Sequence, residues 1–514
     1  AGNSRFWLIR RIGHYIMSQC SSPQKGSNVM GRIRRRRKQC LVRPQLEQLE
    51  SRRVLTTPFP LGQLYADQGG DGVAGLVLKG ADDGDQTGES VAGIGDVNGD
   101  GIDDMAIGAM GTDANGFSSG TVYVVFGKSN HGAEIELGSL SSSDGVAIFG
   151  PNAGDGLGNR VFGIGDINDD DVDDLLVRSN SGRAFLIYGS NSFPSSINLS
   201  LPDGIVSTEI VYSQSTSGNA AGVGDVNDDT VDDFAIEAGN GSLFVVYGTS
   251  GGYGAMLDLT SLSATEGATI SGLSAFSVNP NSVSGAGDIN GDDIDDVVIG
   301  NSSQRDVYLI YGKAGGIDSA IDVTAIAASA GQTIQTNIFG FGESVSGGLD
   351  VNGDGLDDLM VGAPDTQGDE FHSGSVFVIM GRPGGLPSNL DPLTLDGTNG
   401  FEFRGVMQNG EAGRTGTLMP DVNGDALADI LVGVPGTLSN EHRRAYVIFG
   451  SSEAFPPLLD GNDINGQNGF RIDAGSDEMF TAASVDFAGD LNNDGVGDIL
   501  IGASQYAGGF GNVA

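Results

Sequence analysis

Seven copies of one nine-residue acidic motif, D-x-N-x-D-x-x-x-D, are spaced along this 514-residue chain. The copies recur at intervals of 59 to 71 residues and begin at Asp96, Asp166, Asp225, Asp288, Asp350, Asp421 and Asp490. A regular period of this length indicates that each repeat is one supersecondary unit and that neighbouring units stack to bury a shared core. A repeat architecture also accounts for a length well beyond the roughly 100–200 residues of an ordinary domain.

Each repeat has the same order of short apolar segments around its motif. A small-residue strand precedes the acidic loop, and an aliphatic strand such as Met105–Ala109 follows it. A third strand, such as Thr121–Gly127, and a fourth, such as Gly145–Gly150, complete the unit. These runs are bounded by Gly, Asn, Asp and Ser and show no helical period. The sequence therefore predicts an all-β, seven-bladed β-propeller of four-stranded antiparallel blades. A linear β-solenoid is the alternative, but it would need much shorter repeats.

The two ends of the repeat region predict how the ring closes. Residues 58–80 contain a linker and a strand like those between later repeats, although no repeat precedes them. The seventh repeat stops at Phe510–Ala514, early in its third strand, so we expect a truncated last blade in a fragment of a longer chain. We expect the strand near Leu76–Lys79 to supply the outer strand of that blade, because this would remove an open sheet edge.

Charge divides the chain into two regions. Residues 1–57 hold 13 Lys and Arg against two acids and carry +11, whereas the remainder holds 13 against 65 and carries −52. We therefore predict a basic, mostly disordered tail at 1–57 and a propeller at 58–514. The acidic body should attract cations and repel nucleic acid and anionic membranes. Cys20 and Cys40 lie in the tail, so no disulfide staples the propeller. No window offers the ~18 uninterrupted apolar residues of a transmembrane segment.

The acidic loops are predicted to bind calcium. Positions 1, 3, 5 and 9 carry Asp, Asn, Asp and Asp in every copy, and position 7 is always aliphatic. Side-chain oxygens from the odd positions and the carbonyl of position 7 form an oxygen-only set, which Ca²⁺ accepts in flexible geometry and Mg²⁺ does not. The loops contain no His or Cys, which argues against zinc and copper. An EF-hand would need Glu at position 12, where aliphatic strand residues stand. Simple solvated acidic turns remain the alternative.

The predicted calcium ligands occupy positions 1, 3, 5, 7 and 9 of each loop. They are Asp96, Asn98, Asp100, Ile102 and Asp104; Asp166, Asn168, Asp170, Val172 and Asp174; Asp225, Asn227, Asp229, Val231 and Asp233; Asp288, Asn290, Asp292, Ile294 and Asp296; Asp350, Asn352, Asp354, Leu356 and Asp358; Asp421, Asn423, Asp425, Leu427 and Asp429; and Asp490, Asn492, Asp494, Val496 and Asp498.

The residue at position 6 predicts that the seven sites differ in strength. Gly accommodates a positive φ at little cost, and it occupies position 6 in the loops that begin at Asp96, Asp350 and Asp490, where binding should be strongest. Thr230 and Ala426 would be strained there, so the third and sixth loops should be weakest. Position 8 adds a further Asp in five copies, which we expect to face solvent or to lie behind the ligands.

These features resemble the FG-GAP repeats of integrin α-subunit β-propellers and their bacterial relatives. The resemblance covers residues 59–514. Its markers are Phe-Gly pairs at 126–127, 149–150, 339–340 and 449–450, and the complete GAP triplet Gly362-Ala363-Pro364. The second and third repeats have lost the triplet, and their loops should be shorter. The resemblance implies a rigid disc with calcium loops on one face and protein or glycan ligands on the other.

The function implied by this resemblance is that of a secreted or cell-surface adhesion module without catalytic activity. The short interval between the second and third repeats leaves no room for an inserted ligand-binding domain, and no membrane span is visible, so an integrin heterodimer is not implied. Two alternatives stay open. A lectin-like carbohydrate-binding propeller would be expected to carry aromatic pockets between blades. A non-catalytic propeller of a larger surface enzyme would resemble that of glycosylphosphatidylinositol-specific phospholipase D.

The basic tail also has a resemblance. Arg32–Thr57 resembles the LEPR-x-LL type N-terminal segment of large exported proteins from planctomycete-like bacteria, which implies a link to export. The apolar run near Trp7 is a poor secretory signal because Arg10 and Arg11 interrupt it. A nucleic-acid patch or plain solvated charge is the alternative interpretation of the arginines.

No catalytic constellation is evident in the sequence. The four histidines show no metal-binding spacing, and no G-x-S-x-G or phosphate-binding Gly-Lys motif occurs. His372 beside Phe371, and Arg443–Arg444 near Tyr446, are candidates for ligand contact on the face opposite the calcium loops.

Overall fold

The computed structural model describes residues 5–9, 59–60, 64 and 75–502, apart from 83, 201–205, 213–217, 239–240, 274–281, 368–369, 437–443 and 474–483. The rest of the predicted tail, His442 and Arg443 lie outside the described residues. The regular secondary structure of the described chain is almost entirely β-strand, which confirms the all-β prediction. Short 3-10 helices occur at Leu137–Ser139, Leu259–Ser261, Val323–Ala325 and Pro392–Thr394.

The strands follow the repeats. Before the first motif lie β1 (Arg5–Ile9), β2 (Phe59–Pro60) and β3 (Gly75–Lys79). The first repeat contributes β4 (Thr87–Gly95), β5 (Asp104–Ala109), β6 (Thr121–Val125), β7 (Glu134–Glu136) and β8 (Gly145–Phe149). The second contributes β9 (Leu157–Gly165), β10 (Asp174–Ser179), β11 (Ala184–Ile187), β12 (Ser196–Asn198) and β13 (Ser207–Val211). The third contributes β14 (Ala220–Gly224), β15 (Asp233–Glu237), β16 (Leu243–Val246), β17 (Met256–Asp258) and β18 (Gly267–Ser271).

The remaining repeats continue the same order. The fourth contributes β19 (Ser282–Gly287), β20 (Asp296–Asn301), β21 (Asp306–Ile310), β22 (Ala320–Asp322) and β23 (Gly331–Gln335). The fifth contributes β24 (Val345–Leu349), β25 (Asp358–Ala363), β26 (Ser375–Ile379) and β27 (Gly400–Arg404). The sixth contributes β28 (Thr415–Met419), β29 (Asp429–Val434), β30 (Arg444–Ile448), β31 (Leu458–Asp460) and β32 (Gly469–Asp473), and the seventh β33 (Ser484–Phe487) and β34 (Ile499–Gly502).

Each blade is an antiparallel sheet whose strands come from one repeat. In the first blade the order is β4-β5-β6-β8, and blades two to six repeat this pattern. The second strand of each blade is buried along its whole length, which explains its continuous apolar run. The first strands of successive repeats contact one another in chain order, and β33 contacts β4. The described chain is therefore a closed β-propeller.

Six blades are complete, not the seven predicted. The remaining sheet is composite, with the order β33-β34-β1-β3-β7. β3 lies in the outer position, as expected for the strand near Leu76–Lys79. The third position is held by β1, which pairs antiparallel with both β34 and β3. The prediction of a disordered tail therefore does not extend to Arg5–Ile9. Sequence reasoning missed this strand because its apolar run stands outside the repeat period.

The prediction of four strands per blade is also corrected. Most sheets gain a fifth, short strand that runs parallel to the fourth and comes from the linker of the next repeat. Thus β12 pairs with β8, β17 with β13, β22 with β18 and β31 with β27. β2 pairs with β32 in the same way, and β7 with β3. The sheet of blade four, β19-β20-β21-β23, ends without one.

Adjacent sheets pack so closely that some glycines cannot carry a side chain. Seven buried apolar clusters among the described residues each draw on two neighbouring sheets. A Cβ on Gly362 of blade five would lie 2.0 Å from the carbonyl oxygen of Gly413 in the connection to blade six. The glycine of the GAP triplet is thus fixed by close backbone approach between blades.

We expect Gly362→Ala to lower the free energy of unfolding by about 1–3 kcal/mol, because the added methyl group must push two blades apart. Urea unfolding followed by circular dichroism will measure this. Gly254→Ala is the matched control, since a Cβ there meets nothing within 4 Å. Equal midpoints for the two variants would show that the close approach does not constrain the ring.

Candidate metal-binding loops

The seven acidic loops lie on one face of the propeller. Each joins the first strand of its sheet to the second; the first loop, for example, lies between the end of β4 at Gly95 and the start of β5 at Asp104. Because every such connection leaves the sheet at the same end, the loops form a ring on that face. The connections between the second and third strands leave at the opposite end.

Positions 1 and 5 of each motif organise the loop through their carboxylates. The Asp96 carboxylate accepts hydrogen bonds from the N–H groups of Asp100 at 3.0 Å and Gly101 at 2.7 Å. The Asp100 carboxylate accepts one from the N–H of Ile102 at 3.0 Å. In all seven loops the position 6 N–H donates to position 1 and the position 7 N–H donates to position 5. The loops therefore share one conformation despite their sequence differences.

Position 6 has a positive φ in every loop, as its glycines predict. Gly101, Gly355 and Gly495 have φ values of 85°, 91° and 84°. Thr230 and Ala426 adopt the same region, with φ values of 80° and 71°. A non-glycine residue in this region carries about 1–3 kcal/mol of strain, so these two loops are held in shape by their surroundings.

The position 9 aspartates are fully buried and tie each loop to its own blade. Asp104 accepts hydrogen bonds from the N–H of Val97 at 3.1 Å and from the N–H of Gly127 at 2.7 Å. Gly127 lies two residues after the end of the third strand, so one carboxylate joins the beginning of the loop to the segment that leaves that strand. The equivalent bond to the glycine after the third strand is formed in six loops, with Gly127, Gly189, Gly248, Gly312, Gly381 and Gly450 as donors.

The burial of these carboxylates makes their charge expensive. Burial raises the pKa of Asp104 to about 8, and the neighbouring charges of Asp96 and Asp100 act in the same direction. The pKa values of Asp174, Asp233, Asp296 and Asp429 are raised to about 8 for the same first reason, and that of Asp358 to about 7. Each loop therefore places several carboxylates near one another, and a bound cation would favour their ionised form.

The donor set fits a hard cation in its chemistry but does not form a closed cage. Among the described residues, no three Asp, Glu, His or Cys side chains are grouped closely enough to hold a metal ion. In six loops the position 3 amide donates its Nδ2 to the position 9 carboxylate, for example Asn98 to Asp104 at 3.1 Å. Ligation would require this amide to turn its oxygen inward and the position 1 and 5 carboxylates to rotate.

The aspartates at position 8 link neighbouring loops, a role that the sequence did not predict. The Asp173 carboxylate of the second loop accepts a hydrogen bond at 2.8 Å from the N–H of Asp96 in the first loop. Asp232, Asp295 and Asp357 bind the position 1 N–H of the preceding loop in the same way, at 2.9 to 3.0 Å. Asp103 of the first loop accepts the equivalent hydrogen bond at 2.7 Å from the N–H of Asp490 in the seventh loop. We call these five contacts the inter-loop latches.

Each latch depends on the glycine that precedes the motif. Gly95, Gly165, Gly224, Gly287 and Gly489 stand directly before position 1 with positive φ, and a Cβ on any of them would lie 2.0 to 2.2 Å from an oxygen of the latching carboxylate. The fifth and sixth loops have Leu349 and Pro420 instead of this glycine. Their partners at position 8 are Ala428 and Gly497, which contribute only backbone N–H groups. A glycine before one motif therefore occurs together with an aspartate at position 8 of the next motif. This pairing is visible in the sequence and indicates a contact between neighbouring loops.

The second repeat, which lost the GAP triplet, carries a buried arginine that reaches the third repeat. Arg178 and Glu237 stand where the first repeat has Gly108, and Arg178 is 0% exposed. The Arg178 guanidinium donates to the carbonyl oxygens of Asn219 at 3.1 Å and Glu237 at 2.9 Å, both in the third repeat. It therefore joins blades two and three. The connection from β10 to β11 is short, as predicted.

The predicted ligand contacts on the opposite face are only partly supported. Phe371 is 53% exposed, and His372 lies with its Nδ1 3.7 Å from an Asp365 carboxylate oxygen. Arg444, by contrast, lies within β30 and donates to the hydroxyl of Tyr446, which is 1% exposed. Tyr446 is thus buried inside blade six, whereas the Arg444 side chain keeps 12% of its surface exposed.

This fold with these loops defines an integrin-α-like β-propeller built from FG-GAP repeats. The FG-GAP repeat model matches residues 87–125 and 341–379. The chain is 33% identical to integrin alpha-8 of Gallus gallus over 170 residues and 32% identical to integrin alpha-2 of Bos taurus over 190 residues. These matches cover 32% and 35% of this chain, and the chain spans 14% of the length of each relative.

A further similarity is to phosphatidylinositol-glycan-specific phospholipase D of Rattus norvegicus. The two chains are 35% identical over 116 residues, which is 21% of this chain and 13% of that protein. In the part of the chain that the structure describes, no helix is long and apolar enough to cross a membrane.

We expect Asp232→Ala to lower the free energy of unfolding by about 1–3 kcal/mol, because a backbone N–H between two blades loses its charged acceptor. Asp232→Asn should recover part of this loss, since its amide oxygen can accept the same bond. Denaturant unfolding will measure both. Asp318→Ala is the control for removing an exposed acid, and a loss as large as that of Asp232→Ala would refute a specific latch.

Proposed function

We propose that this chain is a calcium-binding, integrin-α-like propeller that serves as a non-catalytic adhesion or protein-interaction module at the cell surface or outside the cell. The observation that carries the proposal is the ring of seven loops with one conformation, each gathering carboxylates around a buried aspartate. The similarity to integrin α-subunits supports it. In this proposal residues 58–514 form the module together with β1, and the rest of residues 1–57 form a separate basic tail.

Calcium would be held by the side chains at positions 1, 3, 5 and 9 and by the carbonyl of position 7. The ion supplies charge neutralisation, which offsets the repulsion among the loop carboxylates. The shared loop backbone already places these residues, so ligation needs the amide at position 3 and the carboxylates at positions 1 and 5 to rotate. The loops beginning at Asp96 and Asp350 should be among the tightest, since they combine glycine at positions 4 and 6. They also belong to the two repeats that the FG-GAP model matches.

We expect calorimetric titration with calcium to show sites of unequal affinity, the weaker ones with Kd on the order of 10⁻⁴–10⁻³ M, as in extracellular modules. Asp96→Ala should remove one of the tightest sites because it deletes a ligand from an unstrained loop. Asp225→Ala is the matched variant: it deletes the same ligand from the strained third loop and should leave the tight sites unchanged. Equal affinity at all sites would contradict the ranking, and absence of binding would refute the calcium proposal.

The adhesion role predicts that binding to a partner depends on calcium through the rigidity of the ring. Fluorescently labelled propeller should bind to a panel of intact cells in about 1 mM calcium, lose most binding in chelator and regain it when calcium is restored. Flow cytometry measures this, with heat-denatured protein as the control. Binding that survives complete calcium removal while the fold stays intact would contradict the mechanism. Binding to a glycan array in place of cell-surface protein would favour the lectin alternative.

A second candidate is a non-catalytic propeller within a larger surface enzyme. The similarity to the rat phospholipase D favours it. The propeller would then position the enzyme at its target, and the calcium loops would have the same stabilising role.

A further inference from the structure

Blade four differs from the other sheets at its outer edge. Its outer strand, β23, is not paired with a fifth strand in the described chain, whereas the other sheets each have one. In blade three the N–H of Thr269, two residues after Gly267, donates to the carbonyl of Ser319 next to the fifth strand. Thr333 holds the same place, two residues after Gly331. The edge that elsewhere receives a parallel strand is therefore open in blade four.

The cause of the open edge is a turn in the linker of the fifth repeat. Asn389-Leu390-Asp391 corresponds to the fifth-strand sequence Ala320-Ile321-Asp322, and Leu390 packs into the core between blades four and five. However, the Leu390 N–H donates to the carbonyl of Pro387 at 3.0 Å, which closes a turn. The Gln332 side chain also donates a hydrogen bond from its Nε2 to the Pro387 carbonyl oxygen at 2.6 Å. The linker therefore forms a turn beside β23 in place of a paired strand.

A cleft of about 730 Å³ opens between this edge and blade five. Thr333 and Gln335 of β23 line one side, and Glu402 and Arg404 of β27 line the other. Phe339 and Leu393 stand on its rim with 61% and 65% of their surface exposed. Its volume is that of a ligand-binding site, and it combines apolar surface with polar groups.

The charge of the cleft favours a basic ligand. Asp365, Asp391 and Glu402 line it together with one cation, Arg404. The Arg404 guanidinium is engaged by Glu402 through two contacts of 2.8 and 2.9 Å, so it does not offset the other two carboxylates. The guanidinium carbon of Arg305 lies 4.1 Å from the centre of the Phe339 ring and covers one side of it.

We propose that the cleft between blades four and five binds an extended peptide segment with a basic side chain, which adds to β23 as the missing fifth strand. The neighbouring sheets supply the template: each holds a short parallel strand with an aliphatic centre at this position. Main-chain hydrogen bonds to the open edge would give affinity, and the carboxylates would select a lysine or arginine. The proposal names a partner for the interaction module and rests on that function, although it requires no calcium ligand.

The test uses a fluorescein-labelled synthetic peptide with the sequence of residues 319–324 and lysine in place of Asp322. Fluorescence anisotropy against the full chain should show saturable binding. Thr333→Pro removes one outward N–H of the edge, which proline permits on an edge strand, and Thr333→Ala keeps it. We expect Thr333→Pro to weaken binding about tenfold relative to Thr333→Ala, as loss of one main-chain bond implies. Equal affinity for the two folded variants would overturn the proposal.

Two modified peptides keep the test decisive if Thr333→Pro fails to fold. A peptide with its backbone amides N-methylated should bind at least about tenfold more weakly if it pairs as a strand. A peptide with glutamate in place of the lysine should also bind more weakly, and Asp365→Asn should reduce that preference. Undiminished binding of the methylated peptide, or competition by a neutral oligosaccharide alone, would overturn strand addition. Calcium binding measured in the same variants separates this result from the proposed function.

Discussion

Each blade depends on the hydrogen bonds that the buried carboxylate at the end of its acidic motif accepts. Asp104 accepts backbone N–H groups from the beginning of its loop and from Gly127 just after the third strand. A lone buried charge costs several kcal/mol, and removing its partners would leave that cost uncompensated. The hydrogen bonds compensate part of it, and the raised pKa of Asp104 shows that part remains. A bound cation would favour the ionised form further, which links the residue that holds the loop to the calcium proposal.

The inter-loop latches extend this local constraint around the ring. A latch requires an aspartate at position 8 of one loop and, before the neighbouring motif, a glycine whose missing Cβ leaves room for the carboxylate. The two interfaces without a latch, which follow Leu349 and Pro420, have lost both members together. This pairing shows that blade-to-blade contact is made by complementary positions of successive repeats. Those two interfaces keep only backbone bonds between the loops and should open more readily.

The repeat period was enough to predict the all-β propeller, the strand order within a repeat and the outer place of the strand near Leu76–Lys79. These features depend on local patterns that recur within each unit. Contacts between units were harder to predict, because they depend on how closely two backbones approach. The position 8 aspartates and Arg178 were therefore missed, and β1 was assigned to a disordered tail. The calcium ligands remain a prediction, since the described loops share the required backbone but hold no closed cage.

The loop face and the outer edges of the blades differ in how closely the repeats resemble one another. On the loop face, all seven copies keep one conformation even where Thr230 and Ala426 are strained, so the hydrogen bonds of the loop outweigh that strain. At the outer edges the repeats diverge, and the linker of the fifth repeat forms a turn between Pro387 and Leu390 where the other linkers pair as a strand. A rigid ring can tolerate such a defect because each blade is already held by its neighbours and by its own buried aspartate. The departure from the repeat, rather than the repeat itself, therefore creates a surface that distinguishes one blade from the others, and this is the surface that we propose as the peptide site.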